Sequence, residues 1–261
     1  VFLLTIVMML PQEVTVTDVV LTRVAEGGPA AAAGLQPGDI VRTVDGREIE
    51  SSPDLQKAIQ LRLGADSTWV LERHGVLSQV TLEPRMVPPP GEGATGVEIA
   101  NARVSVGSVT SGSRAQAHGL VAGDSLVLVA SADPSVRVRH QMIYANGVTA
   151  ALASALMDAP GAGAELMVLR RGVLATLAVP DDSLALEGAS LIEKPLEERS
   201  EPIWRAFPLS FMRLADILFL FRNEISRVLA GPGSFAVAGP LGIAQLTGEV
   251  AEAGLSPLIT W

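Results

Sequence analysis

The sequence predicts an α+β protein in which one small, partly open β-barrel unit occurs twice in tandem, flanked by membrane-helix segments. Three observations predict this arrangement. The phrase GPAAAAGLQPGDIVRTVDG is followed 85 positions later by the similar phrase SRAQAHGLVAGDSLVLVASAD, which indicates an internal duplication. Runs of alternating, β-branched residues accompany the repeated phrase and are typical of strands. Apolar segments begin the chain and return near its end.

The composition limits the classes of function. The chain has 261 residues, enough for two domains and a further segment, and its net charge is −9. A nucleic-acid partner is disfavoured, because nucleic-acid-binding domains carry a basic stripe. The chain has no cysteine, which excludes a disulfide framework and a cysteine-based metal site. The three histidines, His74, His118 and His140, have the wrong spacing for the HExxH motif of a zinc-protease helix.

The first segment, residues 1–11, is VFLLTIVMMLP, and its first ten residues are apolar apart from Thr5. Ten residues are too few to cross a bilayer, which takes about 20. A signal peptide is excluded because there is no basic region and no small-residue cleavage site. We therefore expect the end of a truncated transmembrane helix here. An ordinary N-terminal core strand is the alternative.

The first repeat is predicted to span residues 14–87. It begins with the strand-like run VTVTDVVLTRV, followed by a short helical turn that Gly34 closes. A Pro-Gly turn, a strand and an Asp-Gly turn come next. The stretch SSPDLQKAIQLRLG predicts a helix that Ser52 caps and Gly64 ends. Two alternating strands around a His-Gly pair then predict a hairpin.

A Pro/Gly-rich linker at residues 88–94 is predicted to separate the first repeat from the second, which we place at residues 95–182. The closing hairpins RHGVLSQVTL and RRGVLATLAV are 97 positions apart, more than the 85 that separate the earlier landmarks. The second repeat therefore carries about a dozen extra residues, which we place in a long loop at SADPSVRVRHQMIYANGVT.

The last third of the chain differs in character. Residues 183–202 are polar and acidic and are predicted to form a connector. Residues 203–231 predict one long helix, in which Arg213 and Asp216 are spaced to form an ion pair. An apolar stripe marks one face of this helix: Phe207, Phe211, Leu214, Leu218, Phe221, Ile225 and Val228. Three placements remain open: among other membrane helices, flat at a membrane interface, or in a soluble bundle. Residues 232–261 predict a Gly/Pro loop and the start of another membrane segment.

The repeated phrase, with its following helix and its closing Arg-x-Gly hairpin, resembles a PDZ domain of the bacterial, protease-associated type. The resemblance assigns structural roles to two glycines, which allow backbone turns, and to one aspartate, which can accept hydrogen bonds from backbone N–H groups. These residues are Gly34, Gly38 and Asp39 in the first repeat, and Gly119, Gly123 and Asp124 in the second. The second repeat departs from the pattern, because Arg114 replaces the usual proline and the Asp-Gly turn is missing.

The PDZ resemblance implies a peptide-binding role. PDZ domains add an extended peptide as a strand beside a sheet edge, and a backbone nest in a glycine-bearing turn receives the terminal carboxylate. The stretch ATGVEIA offers such a turn in the second repeat. The candidate peptide-binding residues are Thr95, Gly96, Val97, Glu98 and Ile99. The first repeat offers only EVTVTDVV, so either its groove lacks the nest or its elements follow a different chain order.

The flanks resemble those of the site-2 protease family, intramembrane zinc metalloproteases that carry tandem PDZ domains. The resemblance rests on GPLGIA, with Gly239, Pro240 and Gly242, followed by a short polar helix and a further apolar segment. In that family an HExxH helix precedes the PDZ region and an aspartate zinc ligand follows it. The resemblance implies that this chain is an internal fragment, that zinc is the cofactor of the parent protein, and that no catalytic or metal-ligating residue lies in this chain.

The function implied by the resemblance is the gating of regulated intramembrane proteolysis. The parent protein would be a multi-pass protein of the cell membrane that cleaves membrane-anchored protein substrates, with the PDZ region on the extracytoplasmic side. The implied partners are the lipid bilayer and those substrates or peptide C-termini. The alternative is a non-enzymatic, membrane-anchored tandem-PDZ scaffold or peptide-binding protein.

Overall fold

The computed structural model describes residues 1–14, 16–131, 164–179 and 186–230. The chain forms two compact units, Val1–Leu220 and Phe221–Trp261. The long loop predicted in the second repeat lies mostly outside the described residues. The family motif at Gly239, Pro240 and Gly242 and the whole of 232–261 also lie outside them.

The first repeat is a six-stranded antiparallel sheet with two short helices. Its strand order is β6-β5-β3-β2-β7, and β4 pairs with β3. The elements are β2 (Asp18–Val24), α2 (Pro29–Ala32), β3 (Ile40–Val44), β4 (Arg47–Glu48), α3 (Ser52–Leu61), β5 (Ser67–Arg73), β6 (Val76–Leu82) and β7 (Val97–Ala102). Alternating side chains of these strands reach one core around Leu21, Leu55 and Trp69, all fully buried.

Local turn chemistry explains the boundaries of these elements. Gly34 has φ +81°, a left-handed conformation that glycine adopts without strain, and it follows α2 as the sequence predicts. The cap of α3 differs by one residue from the prediction, because Ser51 occupies the N-cap and Ser52 begins the helix. His74 and Gly75 both have positive φ and join β5 to β6 as a tight hairpin, which confirms that element.

Strand β7 belongs to the first repeat, whereas the sequence analysis placed residues 95–99 in the second. It pairs antiparallel with β2 along its whole length, from Val97 opposite Val24 to Ala102 opposite Asp18. The linker after β6 returns the chain to the far edge of the sheet, so the linker is a loop within the first repeat. The sequence left two alternatives for the first repeat: a groove without a carboxylate nest, or elements in a different chain order. The structure shows the different chain order.

The second repeat follows the same plan. Its strand order, β11-β10-β9-β8-β12, matches that of the first repeat. The described elements are β8 (Val104–Val109), α4 (Arg114–Ala117), β9 (Ser125–Ser131), β10 (Ala164–Arg170), β11 (Val173–Val179) and β12 (Ala189–Glu193). Strand β12 pairs with β8 as β7 pairs with β2. It lies within the segment that the sequence analysis assigned to an acidic connector, so part of that connector completes the second sheet.

The two repeats pack against each other through the outer face of β7. Ala100 and Ala102 join a buried cluster with Val127 and Leu169 from the second repeat. Their small size allows the close approach of the two sheets. Lys194 also forms an ion pair with Asp18 across this junction, at 2.8 Å. Strand β7 of the first repeat therefore packs against buried residues of the second repeat.

Two further helices are α1 (Phe2–Met9) and α5 (Ile203–Ala230). The hydroxyl groups of Thr5 and Ser210 are 2.9 Å apart and buried where the helices meet. Strand β1 (Gln12–Val14) pairs with β13 (Glu197–Arg199) just before α5. Within the described residues, neither helix combines the length and the apolar character needed to cross a membrane. The predicted end of a transmembrane helix at 1–11 and the predicted membrane or interfacial placement of 203–231 are therefore not confirmed.

The apolar stripe of α5 faces outward. Phe207, Phe211 and Leu218 are each more than half exposed, whereas Ala206 and Ser210 on the other face are fully buried. The three-residue spacing predicted an ion pair between Arg213 and Asp216, but in the structure Asp216 pairs with Arg47 and Lys57 instead. It is 4% exposed and accepts hydrogen bonds from Arg47 of β4. The face of α5 that contacts the first repeat is thus its small and polar face.

Candidate functional site

A turn built on Asp39 holds the end of α2 against the hairpin of the first repeat. Asp39 is 1% exposed, and its carboxylate accepts a hydrogen bond from the backbone N–H of Gln36 at 2.8 Å. Arg73 donates to both carboxylate oxygens, at 2.6 and 2.7 Å, and to the carbonyl of Gly34 at 2.9 Å. Gly38, with φ +94°, provides the turn before the aspartate. These contacts hold the turn together.

The second repeat contains the same turn. The carboxylate of Asp124 accepts a hydrogen bond from the backbone N–H of Val121 at 3.0 Å. Arg170 donates a hydrogen bond to each carboxylate oxygen of Asp124, both at 2.7 Å. Arg170 also donates to the carbonyl of Gly119 at 2.6 Å. Gly123 has φ +90°. The arginines were missed in the sequence analysis, although both begin the Arg-x-Gly hairpins that it recognised.

Strand β7 lies at the edge of its sheet and its end is joined to the start of helix α3; the space between β7 and α3 is here named the groove. Within the described residues β7 pairs on one side with β2, and its other edge faces the groove. The start of α3 is fixed to β7 by Asn101, whose side-chain oxygen accepts hydrogen bonds from the backbone N–H and the hydroxyl of Ser52, at 2.9 and 2.7 Å. Both residues are buried. An unpaired strand edge beside a helix is a surface that can accept an added strand.

The loop before β7 is held rigidly against the start of α2. The backbone N–H of Ala25 donates a hydrogen bond to the carbonyl of Gly96 at 2.7 Å. The backbone N–H of Ala30 donates one to the carbonyl of Thr95 at 3.0 Å. Gly96 has φ +75° and lies so close to Gly28 that a Cβ atom would be 3.4 Å from the Gly28 Cα. The predicted residues Thr95 and Gly96 therefore form a fixed turn at the N-terminal end of the groove strand.

Arg85 places a cation at the same turn. Its backbone N–H donates to the carbonyl of Ala94 at 2.8 Å, and its guanidinium donates to Glu92 at 2.6 Å and to the carbonyl of Gly93 at 3.4 Å. Its Nε is buried and has no hydrogen-bond partner among the described residues. Arg85 was not among the residues predicted from the sequence, where its signal is a single arginine just before the Pro/Gly-rich stretch.

Val97, Glu98 and Ile99 follow the turn along the groove strand. Val97 and Ile99 are partly buried and pack against the core of the first repeat. Glu98 points away from the core and forms an exposed ion pair with Arg23 on the neighbouring strand. The structure thus brings the five predicted residues together, and it places them in the first repeat. The arrangement of edge strand, fixed glycine turn and cation suits an extended chain that ends in a carboxylate.

Part of the chain is similar to known proteins. Residues 20–73, which run from β2 to the end of β5, match the family profile described as PDZ domain. The chain carries a PDZ domain and is related to zinc metalloproteases. The relationship appears in metalloprotease MmpA of Caulobacter vibrioides, 35% identical over 83 residues, which are 32% of this chain and 21% of that protein.

A second curated protein shows a similar relationship to the chain. A protein of Mesorhizobium japonicum named as a zinc metalloprotease is 36% identical over 72 residues, 28% of this chain and 20% of its own length. The matched part is therefore about a fifth of each of these relatives. The PDZ domain of an SdrC-like protein from Listeria innocua, a solved structure, is 20% identical with a TM-score of 0.28. It covers 31% of this chain and 92% of that one. The resemblance to PDZ-containing metalloproteases drawn from the sequence is confirmed.

The second repeat has a loop equivalent to the glycine turn of the PDZ domain. The carbonyl of Gly188 accepts from the backbone N–H of Thr110 at 2.8 Å, and that of Glu187 accepts from Ala115 at 3.1 Å. Gly188 has φ +84°, close to the +75° of Gly96. Strand β12 follows this loop as β7 follows Gly96. The residues between β9 and β10, where the first repeat has α3, lie outside the described residues, so only the strand side of this surface is described.

Zinc does not fit the residues that the structure describes. No group of three or more histidine, aspartate or glutamate side chains within them is placed to hold a metal ion. His74 lies in the β5–β6 hairpin of the PDZ domain and His118 follows α4 in the other repeat, while His140 is outside the described residues.

Proposed function

We propose that the chain is the PDZ-bearing central part of a membrane-embedded zinc metalloprotease of the site-2 type. In this proposal its two repeats are PDZ domains in tandem that gate intramembrane proteolysis. The observation that carries the proposal is the occurrence, in one chain, of a PDZ domain and of homology to zinc metalloproteases. The repetition of the strand order and of the aspartate–arginine turn supports the assignment of the second repeat.

The gate acts through the groove between β7 and α3. A substrate that another protease has already shortened presents a free segment with a new terminal carboxylate, and this segment can add to the free edge of β7. The turn at Gly96 and the guanidinium of Arg85, which is paired with Glu92 in the structure, receive the carboxylate, because arginine stabilises carboxylates. An intact substrate lacks that terminus, and a folded domain at the same position is too large for the groove.

The outward-facing apolar surfaces of α1 and α5 support a position at the membrane. Phe2 and Trp204 are 79% and 74% exposed, and Phe211 and Leu218 extend the same character along α5. A helix with an exposed apolar stripe and basic residues can lie in the plane of a membrane interface. Of the three placements considered for α5 we propose the interfacial one, with the PDZ region on the extracytoplasmic side and the zinc ligands in parts of the parent protein beyond this chain.

The experiment uses the full-length parent protein and a membrane-anchored substrate supplied in intact and pre-shortened forms. Arg85→Gln should slow cleavage of the shortened form, because the carboxylate loses its cation. The control is Arg62→Gln, which removes an exposed arginine of the same repeat that pairs with Asp45. Equal cleavage by both variants would contradict the gate.

Sequencing of the parent gene separates the protease from the scaffold alternative. An HExxH motif upstream and a later Asp-Gly motif, both in apolar surroundings, support the protease. If both motifs are missing, the chain belongs to a non-enzymatic PDZ scaffold.

A further inference from the structure

Arg85, the cation beside the glycine turn, is paired with a carboxylate of its own chain. Its Nη2 donates to Oε2 of Glu92 at 2.6 Å and to the carbonyl of Gly93 at 3.4 Å. Both side chains are largely covered, with 26% of Arg85 and 32% of Glu92 exposed. The same Nη2 would lie 3.4 Å from a Cβ atom at Gly96. Glu92 therefore occupies the cation at the point where the proposed site receives a terminal carboxylate.

The pair between Arg85 and Glu92 uses only part of the guanidinium. Nε and Nη2 of an arginine form a fork that can bind both oxygens of one carboxylate. Arg73 shows the complete form, because its Nε and Nη2 both donate to the carboxylate of Asp39, at 2.6 and 2.7 Å. In Arg85, Nη2 contacts Glu92, whereas Nε is buried without a hydrogen-bond partner among the described residues. A carboxylate that reached both atoms would gain a hydrogen bond that Glu92 does not make.

The chain around Glu92 leaves its side chain room to withdraw. Glu92 lies between Gly91 and Gly93 in the loop that joins β6 to β7. A Cβ atom at Gly91 would meet no atom within 4 Å, and one at Gly93 would meet a single oxygen at 3.9 Å. The base of the loop is held separately, because the backbone N–H of Arg85 donates to the carbonyl of Ala94 at 2.8 Å. Glu92 can therefore leave Arg85 while the base of the loop stays closed.

A second cation lies near enough to attract Glu92 after it withdraws. Arg23 on β2 is 60% exposed and pairs with Glu98. The hydrogen bond to Glu98 is the main reason that the pKa of Arg23 is raised, and the charge of Glu92 adds a smaller contribution in the same direction. A displaced Glu92 carboxylate thus stays in the field of a positive charge.

We propose that Glu92 is an internal competitor for the terminal carboxylate of the peptide: it holds Arg85 while the site is empty and leaves when a ligand binds. The inference rests on the proposed peptide site and adds a residue that determines its specificity. An acidic side chain of an intact substrate would only replace one ion pair by another. A shortened substrate also adds its free segment to β7, so its terminus can displace Glu92. The competitor favours chains that offer both a carboxyl terminus and an extended segment.

The test measures, by fluorescence anisotropy, how tightly the 261-residue chain binds a labelled decapeptide with a free carboxyl terminus. The decapeptide is the strongest binder from a display library of random decapeptides. Glu92→Gln should tighten binding about two- to fivefold, because a partly exposed ion pair no longer has to be broken. Glu83→Gln is the matched control, since it removes the same charge from an exposed residue two positions before Arg85, and it should leave the affinity unchanged. Equal affinities of the two variants, or weaker binding by Glu92→Gln, would overturn the competitor and leave the peptide site intact. A library without any binder would overturn both.

A double-mutant cycle shows whether Glu92 acts through Arg85. In a chain that already carries Arg85→Gln, Glu92→Gln should leave the affinity unchanged, because there is no cation left to release. The decapeptide amidated at its carboxyl terminus should bind equally to the original chain and to the Glu92→Gln variant. A gain that persists in either measurement would show general charge repulsion by Glu92 and would overturn the proposal.

Discussion

Asn101, the fifth residue of β7, accepts two hydrogen bonds from Ser52, the first residue of α3. The two positions are 49 residues apart, and this contact joins the two walls of the groove. It also shows that β7 belongs to the PDZ domain, because its partner helix is in the first repeat. The position of the groove, and with it the functional proposal, depends on this junction.

Replacement of Asn101 by alanine should destabilise the chain by about 1–3 kcal/mol, because it leaves buried donors of Ser52 without this acceptor. Denaturant unfolding measures the loss, and binding of a free-carboxyl peptide should weaken as α3 separates from β7. Glu98→Ala on the same strand is the control for the stability measurement. Its exposed pair with Arg23 contributes little, so the change should stay within about 0.5 kcal/mol. Equal effects of the two substitutions would show that the junction has no special importance.

The two aspartate turns should respond alike to mutation. Asp39→Asn and Asp124→Asn each remove the charge from a buried pair with an arginine, and we expect a loss of about 2–4 kcal/mol for either change. The arginines are about one-third exposed, which keeps the loss below that of a fully buried pair. Thermal or denaturant unfolding of both variants measures it. A large loss for one variant and none for the other would mean that the repeats are not equivalent in structure.

These turns were the part of the fold most accessible from sequence. The spacing of Gly34, Gly38 and Asp39 encodes a local turn, and local turns depend on residues that are close in the chain. The hairpin at His74 and Gly75 was predicted for the same reason. The recurrence of each feature at a constant offset then indicated that the second repeat folds in the same way.

The position of β7 could not be predicted, because the sequence of a strand does not specify which strand it pairs with. The Pro/Gly-rich stretch at residues 88–94 was interpreted as a boundary between domains, and β7 was assigned to the domain that follows. In the structure this stretch is a loop that returns the chain to β2. For the same reason β12 was assigned to the acidic connector and not to the second repeat. In both cases the strand comes last in its repeat and pairs with the first strand.

The partner of Asp216 was also beyond sequence reasoning. The three-residue spacing to Arg213 indicated a pair within the helix. The structure places Arg47 and Lys57 closer to the carboxylate, and both come from elements more than 150 residues earlier in the chain. Asp216 and its ion pairs with Arg47 and Lys57 lie on the face of α5 that contacts the first repeat. The apolar stripe lies on the other face and is exposed.

Gly96→Ala should weaken peptide binding much more than Gly91→Ala. Both glycines have positive φ, +75° and +80°, so both substitutions carry a similar backbone strain of about 1–2 kcal/mol. Only at Gly96 would the new methyl group lie 3.4 Å from Arg85 Nη2 and from the Gly28 Cα, whereas the space around Gly91 is open. Anisotropy titration with a free-carboxyl peptide separates the two effects. Similar affinities of the two variants would argue against a carboxylate site at this turn.

The stability contributed by Asp216 should depend on pH. Because its pKa is lowered in the folded state, the contribution is complete above the ordinary value of 3.8 and is lost as the pH falls below that value towards the folded pKa. Asp216→Asn should therefore cost about 1–3 kcal/mol at neutral pH and progressively less in acid. Unfolding of both proteins between pH 7 and about pH 3 measures the difference. A difference that stays constant over this range would contradict the ion pair.

Hydrogen exchange of the 261-residue chain, with and without a free-carboxyl peptide, tests the central claim that β7 and the turn before it form the peptide site. The account predicts slower exchange at residues 95–101 when the peptide is added, and no such change with the same peptide amidated at its carboxyl terminus. Protection confined to another segment, or equal protection by the free and amidated peptides, would contradict it.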